Sequence, residues 1–211
     1  MTHATVILII ALVSAAVYYA QWVLVRRRLV AIVPGRVYQS GAMWPRQLIR
    51  YTRRYAIETV IDFRGAHEAG ARIEARTLTE RGIRYVNIPL GTLPTLNDVR
   101  CFLDVMTEER SADRRVLMHC KDGQGRAIAM AAIYRIEFEG WSPLQAYRAG
   151  RRLPPGFKFV SILFPSAGCL SSRNCKTRFI LDYRATRSDQ PTSRITSIAS
   201  TFQYGLGIDA E

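Results

Sequence analysis

The sequence predicts an α/β fold in which a central, mostly parallel sheet is flanked by helices on both faces, with one transmembrane helix before it. Short runs of β-branched and apolar residues alternate along the chain with longer runs that have helical spacing. Strands that are joined through helices lie parallel, and the helices then cover both faces of the sheet. The transmembrane helix is indicated by one uncharged apolar run near the first residue, about 20 residues long, as a bilayer requires.

The apolar run covers Thr5–Val25, and its only strongly polar side chain is Gln21. Three aromatic residues cluster toward its end, as in an interfacial belt: Tyr18, Tyr19 and Trp22. Arg26–Arg28 follow directly, so the positive-inside rule predicts a membrane anchor with the remaining chain on the cytoplasmic side. A cleaved signal peptide would carry its charge before the apolar run rather than after it. A buried core helix is the other alternative.

Several short segments have the composition of strands, because they are apolar or β-branched and are bounded by turn residues. The predicted strands are Val37–Ser40, Glu58–Arg64, Arg84–Leu90 and Arg115–His119. The last of them is the most apolar and is predicted to be buried.

The predicted helices lie between and after these strands, and capping residues mark several of their ends. The capping signals are Gly82, Asn97 or Asp98, Gly140, and Ser142 before a proline. The predicted helices are Pro45–Tyr55, His67–Arg81, 97–109, Arg126–Glu139, Ser142–Arg151 and Asn174–Arg184. A Pro-Pro-Gly turn at 154–156 is predicted to end the fifth of these helices.

The 211 residues carry a formal net charge of +13. Such a charge predicts an anionic partner: nucleic acid, an acidic membrane surface or a phosphorylated substrate. Nucleic acid is the least expected of the three, because the basic residues are scattered rather than gathered on one helix. Five arginines just after the apolar run either lie against anionic headgroups or form a solvated face: Arg36, Arg46, Arg50, Arg53 and Arg54.

The four cysteines show neither a CxxC pair nor zinc-ligand spacing, so no metal or cofactor is expected. Cys101, Cys169 and Cys175 are predicted to be ordinary thiols. Cys120 differs from them, because it ends the predicted buried strand and is followed by a glycine-containing segment.

The segment between Cys120 and Arg126 connects that strand to the next predicted helix. It consists of Lys121, Asp122, Gly123, Gln124 and Gly125. A glycine-containing loop between a strand and a helix lets successive backbone N–H groups turn toward one centre at the helix N-terminus, which forms an anion site. These residues are therefore predicted to bind phosphate.

Arg126 would hold two phosphate oxygens through its planar guanidinium, and Lys121 would add a point charge. The same positive field favours an ionised sulfur at Cys120. A thiolate below a bound phosphate predicts nucleophilic displacement at phosphorus, with a phosphocysteine that water then hydrolyses. His119 is predicted to orient the loop rather than to transfer protons.

Residues 119–126, HCKDGQGR, have the pattern His-Cys-x5-Arg with glycine in the third place after cysteine. This resembles the active-site loop of the cysteine-dependent protein tyrosine and dual-specificity phosphatases, and the lysine and glycines also resemble the loops of phosphoinositide phosphatases. The context from Gly35 to Gly156 looks like the compact bacterial members: GRVYQSGAM, TVIDFRG, GIRYVNIPL and GWSPLQAYRAGRR. The resemblance implies a tyrosine-phosphatase-like fold, Cys120 as nucleophile and Arg126 as phosphate clamp. A rhodanese-like sulfur carrier, or a buried cysteine near a helix arginine, is the alternative.

Two positions depart from the family pattern. The family usually has Ser or Thr directly after the loop arginine, where this chain has Ala127, and loss of that hydroxyl predicts slow hydrolysis of a phosphocysteine. The family's general acid is usually an aspartate soon after the strand that ends here in Ile88-Pro89, yet 91–94 contain no carboxylate. Asp98 is the favoured substitute, although it could instead begin a helix, and Asp122 is the alternative.

We therefore predict a membrane-anchored, metal-independent phosphatase that acts on phosphorylated proteins or phospholipid headgroups. An inactive or very slow phosphate-binding module at the membrane is the alternative. The predicted parts are an anchor with a basic flank at 1–28, a phosphatase-like domain at 35–186 and a flexible tail at 187–211. Three further residues receive structural roles: Asp62 and Arg64 below the loop, and Glu74 on a helix surface.

Overall fold

The computed structural model describes residues 3–68, 70–150 and 175–185. The strands are β1 (Val30–Val33), β2 (Val37–Gly41), β3 (Thr59–Asp62), β4 (Arg84–Asn87) and β5 (Val116–Cys120). The helices are α1 (His3–Ala20), α2 (Pro45–Arg54), α3 (Ala71–Thr79), α4 (Leu96–Ser111), α5 (Arg126–Glu139), α6 (Pro143–Ala149) and α7 (Cys175–Asp182). The predicted turn at 154–156 and the predicted tail at 187–211 lie outside the described residues.

The strands form one five-stranded sheet in the order β1-β2-β5-β3-β4. β2, β5, β3 and β4 run parallel, and only β1 pairs antiparallel with its neighbour. The carboxyl ends of the parallel strands meet at one edge, where Gly41 lies opposite Cys120 and Asp62 lies opposite His119. The predicted α/β class with a mostly parallel sheet is confirmed.

Helices cover both faces of the sheet, and β5 shows how the sequence assigns its residues to them. Met118 and Cys120 belong to the core cluster that contains residues of α4, α5, α6 and α7. Leu117 belongs to the second cluster, with residues of α2 and α3. Because successive strand residues point to opposite faces, His119 lies on the same side as Leu117, toward α3. The strand is apolar throughout because both of its faces are covered.

The N-terminal helix α1 leaves most of its apolar side chains exposed, including Ile7, Leu12 and Val17 at 67%, 62% and 63%. His3–Val25 is long and apolar enough to cross a bilayer. Its last turn widens to a π-helical turn at Gln21–Val25, and there Trp22 is buried. The prediction that Trp22 belongs to an interfacial belt is therefore wrong, since that side chain is enclosed by protein.

Three elements differ from the sequence-based prediction. β1 was not predicted, because its four residues continue the apolar character that follows the arginines and show no alternation. The predicted helix His67–Arg81 is confined to α3, since Gly70 before it has a left-handed backbone with φ +87°. Thr95, rather than Asn97 or Asp98, caps α4, and Asp98 completes the capping box from the third helical position.

Candidate active site

The loop from Lys121 to Gly125 lies at the carboxyl edge of the sheet, between the end of β5 and the start of α5. Cys120 is the last residue of β5 and is buried, with 3% of its surface exposed. β5 lies between β2 and β3, so the residues that follow those two strands surround the loop. In parallel sheets this edge is where ligands bind.

The carbonyl groups of the loop are held from behind by donors outside it. Ala42 N donates to Cys120 O at 2.7 Å and to Lys121 O at 3.1 Å. Arg28 Nη1 donates to Asp122 O at 2.8 Å, and Gln39 Nε2 donates to Gly123 O at 3.2 Å. Four successive carbonyls, from Cys120 to Gly123, are thus fixed on the outer side of the loop.

The direction of these carbonyls determines the direction of the next N–H groups. The described peptide bonds are all trans, so each N–H points opposite to the carbonyl of the same peptide plane. The N–H groups of residues 121 to 124 therefore face away from the donors behind the loop. Within the described part of the chain, no hydrogen bond is found from the N–H groups of residues 121 to 126. Together with the N-terminus of α5 they form an anion-binding arrangement.

Gly123 is required where the loop meets the end of β2. Its φ is +67°, and a Cβ built there would lie 2.6 Å from Gly41 N and 2.8 Å from the carbonyl carbon of Ser40. Gly41 is also close from the other side, since its own Cβ would lie 3.0 Å from the carbonyl carbon of Asp122. Backbone therefore packs directly on backbone, and no side chain fits between.

Arg126, the first residue of α5, is held through one nitrogen. Its Nη1 donates to Phe63 O at 2.9 Å, to Glu68 Oε1 at 2.9 Å and to Leu90 O at 3.3 Å. Among the described residues, every partner of Arg126 accepts from Nη1, so Nε and Nη2 stay free for an anion. The hydrogen bond from Arg126 holds the pKa of the Glu68 carboxyl below its usual range, so Glu68 is ionised at neutral pH and is unsuited to be a general acid.

A buried charged cluster lies behind Cys120, on the α3 side of the sheet. Arg64 Nη2 lies 2.7 Å from Asp62 Oδ2 and 2.6 Å from Glu74 Oε2, and His119 Nε2 lies 2.6 Å from Glu74 Oε1. Asp62 and Arg64, for which structural roles were predicted, are paired with each other in this cluster. The prediction that Glu74 lies on a helix surface is wrong, because only 4% of this residue is exposed. Its burial follows from helical spacing, since Ala71 and Leu78 share its face.

Asp62, Glu74 and His119 place their potential ligand atoms within 4.8 Å of one another, but both carboxylates are already paired with the Arg64 guanidinium. The cluster therefore serves as an ion network rather than a metal site. Burial alone would lower the pKa of His119, yet the carboxylates of Glu74 and Asp62 outweigh it and raise that pKa. Burial likewise opposes ionisation of Asp62, but His119 and Arg64 leave its pKa below the ordinary value.

The structure brings most of the predicted site residues together. His119, Cys120, the loop residues 121–125 and Arg126 form one continuous segment at the sheet edge, and Ala127 is fully buried directly behind it. Asp98 lies on α4, where its Oδ2 accepts hydrogen bonds from Thr95 N and Thr95 Oγ1, each at 2.8 Å. Its role as general acid stays a prediction.

Several residues that support the loop were not predicted: Arg28, Gln39, Ala42 and Glu68. Gln39 carries a signal, because a long polar side chain inside a buried strand needs a partner. Ala42 and Glu68 follow β2 and β3 at the edge where parallel strands end, so their positions also point to the loop. Arg28 gave no signal beyond being one of three consecutive arginines.

Comparison with known proteins agrees with this geometry. A family model described as "DSP-PTPase phosphatase fused to NAD+ Kinase" matches residues 35–152, more than half of the chain. The human protein "Phosphatidylglycerophosphatase and protein-tyrosine phosphatase 1" is 30% identical over 76 residues, which are 36% of this chain and 38% of the human one. The rat protein of the same name is 30% identical over 67 residues, or 32% of this chain and 35% of that one. The chain thus spans less than two fifths of either relative.

Solved structures share the fold. PTPMT1 in complex with PI(5)P superposes with a TM-score of 0.55 at 17% identity, covering 72% of this chain and 92% of that chain. Tk-PTP in the active form superposes with a TM-score of 0.53 at 21% identity, covering 69% and 88%.

Gly123→Ala is expected to weaken anion binding, because the added Cβ displaces backbone on one side of the loop. We expect the dissociation constant of tungstate, measured by calorimetry, to rise at least about tenfold. Gly140→Ala is the matched control, since its φ is +68° but nothing lies within 4 Å of its Cβ. Equal tungstate affinities in the two variants would contradict the role of this backbone contact.

Glu74→Gln is expected to lower the pKa of His119, because a neutral amide removes the nearest negative charge. In the intact chain the raised pKa means that protonated His119 stabilises the fold fully below about pH 6.5, and this stabilisation is lost as pH rises through the raised value. The measurement is an NMR titration of the imidazole resonances. Glu80→Gln, which removes an exposed carboxylate paired with Arg76, is the control. An unchanged His119 titration in Glu74→Gln would refute the assignment.

Proposed function

The chain belongs to the cysteine-dependent dual-specificity and tyrosine phosphatase superfamily, in the family described as a DSP-PTPase phosphatase fused to NAD+ kinase, and from this membership we propose that it hydrolyses phosphomonoesters through a phosphocysteine on Cys120. The observation that carries the proposal is the loop whose carbonyls are fixed outward. Free N–H groups, the N-terminus of α5 and two free nitrogens of Arg126 all belong to the segment that follows directly after Cys120.

In the proposed reaction, the Cys120 thiolate attacks phosphorus and forms an S–P bond while the ester O–P bond breaks. The leaving oxygen takes a proton from a general acid or from water. A water molecule then attacks phosphorus, the S–P bond breaks, and inorganic phosphate leaves as the thiolate returns. Loop N–H groups and Arg126 stabilise the equatorial oxygens, whose charge is largest in the transition state.

Asp98 is the proposed general acid, with Asp122 as the alternative. Asp122 is exposed and Asp98 is half-buried, so Asp122 is the more accessible of the two to solvent and to a substrate. Asp98 would have to release the capping box, in which Thr95 contributes two hydrogen bonds to its Oδ2. Asp122 is already in the loop, and among the residues that the structure describes only its carbonyl is held, by Arg28.

Ala127 favours a second candidate, a phosphate-binding module with very slow turnover. It is fully buried at the second position of α5, where relatives of this superfamily usually place a hydroxyl. A side chain without a hydroxyl cannot hydrogen-bond to the departing sulfur, so the phosphocysteine would accumulate.

We propose that the substrates are phospholipid headgroup phosphates rather than phosphoproteins. Arg28 is the third residue after Val25, where the apolar stretch ends, and three extended residues span at most about 10 Å. The headgroup layer on each side of a bilayer is about 5–8 Å deep. Arg28 touches the loop, so an anchor formed by His3–Val25 would hold the site close to headgroup depth, on the cytoplasmic side. The human relative, whose name includes both activities, supports either class.

Cys120→Ser is expected to abolish hydrolysis of p-nitrophenyl phosphate, lowering kcat by at least about a thousandfold, because an alcohol at neutral pH is a poor nucleophile. Nitrophenolate release is followed for the full chain in detergent micelles. Cys101→Ser is the control, since Cys101 is the other free thiol described and lies on α4. Turnover that survives in Cys120→Ser would contradict the proposed nucleophile.

The same assay separates the enzyme from the slow module. A stoichiometric burst of nitrophenolate followed by a slow phase would show that phosphocysteine hydrolysis limits turnover, and Ala127→Ser should then speed the slow phase. Absence of both burst and turnover in the intact chain would favour the module.

Lipid phosphates presented in vesicles are expected to be hydrolysed with kcat/KM at least about tenfold above that of phosphotyrosine and phosphoserine peptides, because the anchor holds the site near the headgroups. The probes are vesicles containing phosphatidic acid or phosphatidylinositol monophosphates, with glycerol phosphate as the soluble control. Released phosphate is measured with the full chain reconstituted in the vesicles. Faster hydrolysis of the peptides would reverse the assignment of substrate class.

A further inference from the structure

The segment that follows the apolar helix is docked on the end of β2. Gly41 N donates to Arg27 O at 2.7 Å, and Arg27 Nε donates to Ala42 O at 2.6 Å. Ala42 is also the residue whose N–H holds the carbonyls of Cys120 and Lys121. The residues just after the helix and the phosphate-binding loop are therefore fixed to the same short piece of chain.

The backbone of this segment is strained and held in place. Arg27 and Arg28 have φ of +49° and +56°, in the left-handed region that side chains other than glycine rarely adopt. Arg28 N donates to Trp22 O at 3.0 Å, and Gln47 on α2 donates to the carbonyl of Val25. Two consecutive residues keep such a conformation only where surrounding contacts impose it. The direction in which the Arg28 side chain leaves the backbone is thus determined.

The Arg28 guanidinium uses all three of its nitrogens on the loop. Nη1 donates to Asp122 O at 2.8 Å. Because a guanidinium can only donate, we orient the Gln124 amide with its oxygen toward Arg28, and Nη2 and Nε then donate to Oε1 at 2.6 Å and 3.0 Å. Asp122 and Gln124 lie on either side of Gly123, so one side chain spans the tip of the loop.

We propose that Arg28 is a positioning residue of the phosphate-binding loop, which it holds in the conformation that binds phosphate. This proposal rests on the proposed function of that loop. By fixing the Asp122 carbonyl outward, Arg28 directs the N–H of Gly123 to the opposite side of the same peptide plane. By holding the Gln124 side chain, Arg28 also restricts rotation of the backbone at Gln124. The segment that leaves the apolar helix is in this way part of the site.

Arginine is the residue that this geometry needs. Its planar fork presents donors in fixed directions to two acceptors, whereas lysine offers one compact ammonium group on a flexible chain. Lysine could reach the Asp122 carbonyl but could not also make the paired contacts with Gln124. Arg26, in contrast, is exposed, and its side chain forms no hydrogen bond with the described residues. The two arginines carry the same charge, two residues apart.

The test compares wild type, Arg28→Gln, Arg28→Lys and Arg26→Gln as full-length chains in detergent micelles. Tungstate affinity is measured by calorimetry and p-nitrophenyl phosphate kinetics by absorbance, each at low and high salt. We expect Arg28→Gln to raise the tungstate dissociation constant and the KM about tenfold, with a smaller change in kcat. Arg28→Lys should recover part of the loss, and Arg26→Gln should match wild type. The Arg28 effect should persist at high salt, because it acts through hydrogen bonds at contact distance.

Two results would overturn the proposal. One is an Arg28→Gln variant with wild-type affinity and KM. The other is an equal loss in Arg26→Gln and Arg28→Gln that disappears at high salt, which would show that only the general positive charge matters. A wild-type chain that binds tungstate without turnover would remove the proposed catalysis but leave the affinity comparison decisive. A wild-type chain that binds no tungstate would remove both proposals.

A double-mutant cycle with Gln124→Leu keeps the test decisive if Arg28→Gln loses stability. If Arg28 acts through Gln124, the two substitutions together weaken tungstate binding by less than the product of their separate factors. Thermal unfolding of each variant, compared with wild type, separates loss of fold from loss of loop conformation. Fully multiplicative effects would overturn the role assigned to the Arg28–Gln124 contact.

Discussion

The site depends on which way four peptide planes face. Left alone, a loop of five residues between a strand and a helix has many conformations, and only a small part of them turns successive N–H groups to one side. Here the choice is made from outside the loop, by one backbone N–H at Ala42 and the side chains of Gln39 and Arg28. Each donor satisfies a carbonyl that would otherwise need water or would turn inward against an anion. The arrangement requires glycine at positions 41 and 123, because the two backbones are in direct contact there.

The charged cluster next to Cys120 is explained by the orientation that it gives to its side chains rather than by a gain in stability. Removing ionised groups from water is unfavourable, and a buried ion pair is often no more stable than apolar residues of the same size. The cluster contains two carboxylates, Asp62 and Glu74, against Arg64 and a His119 whose pKa is raised. Protonated His119 brings its formal charge to balance. These contacts fix the orientation of His119, the residue next to Cys120, more specifically than aliphatic packing would.

The sequence predicts correctly those parts of the fold where the local residue pattern indicates the same structure as the surroundings impose. β5 and α5 are predicted nearly to the residue, because a buried parallel strand is a continuous apolar run and Gly140 ends the helix with a left-handed backbone. Residues 119–126 identify the loop because the cysteine, the glycines and the arginine follow one another in a single short segment. The supporting residues come from four other segments, and only the strand order β2-β5-β3 brings them near. Glu74 was misassigned because a charged residue on a helix is usually exposed, although its spacing from Ala71 and Leu78 marks the buried face. Arg28 could not be chosen from three adjacent arginines without the left-handed turn that directs its side chain.

The hydrogen bonds of Arg27 and Arg28 do more than connect the domain to the N-terminal helix. A flexible linker would let the domain sample a volume set by linker length, and the local concentration of membrane substrates would fall as that volume grows. Here Arg27 and Arg28 are hydrogen-bonded to the end of β2 and to the loop, so the segment that leaves the helix is attached directly to the site. With the N-terminal helix in a bilayer, as we propose, the site would meet headgroups at a fixed height, and the search for a lipid substrate would be two-dimensional. The same attachment would disfavour bulky protein substrates, which would have to fit between the domain and the bilayer.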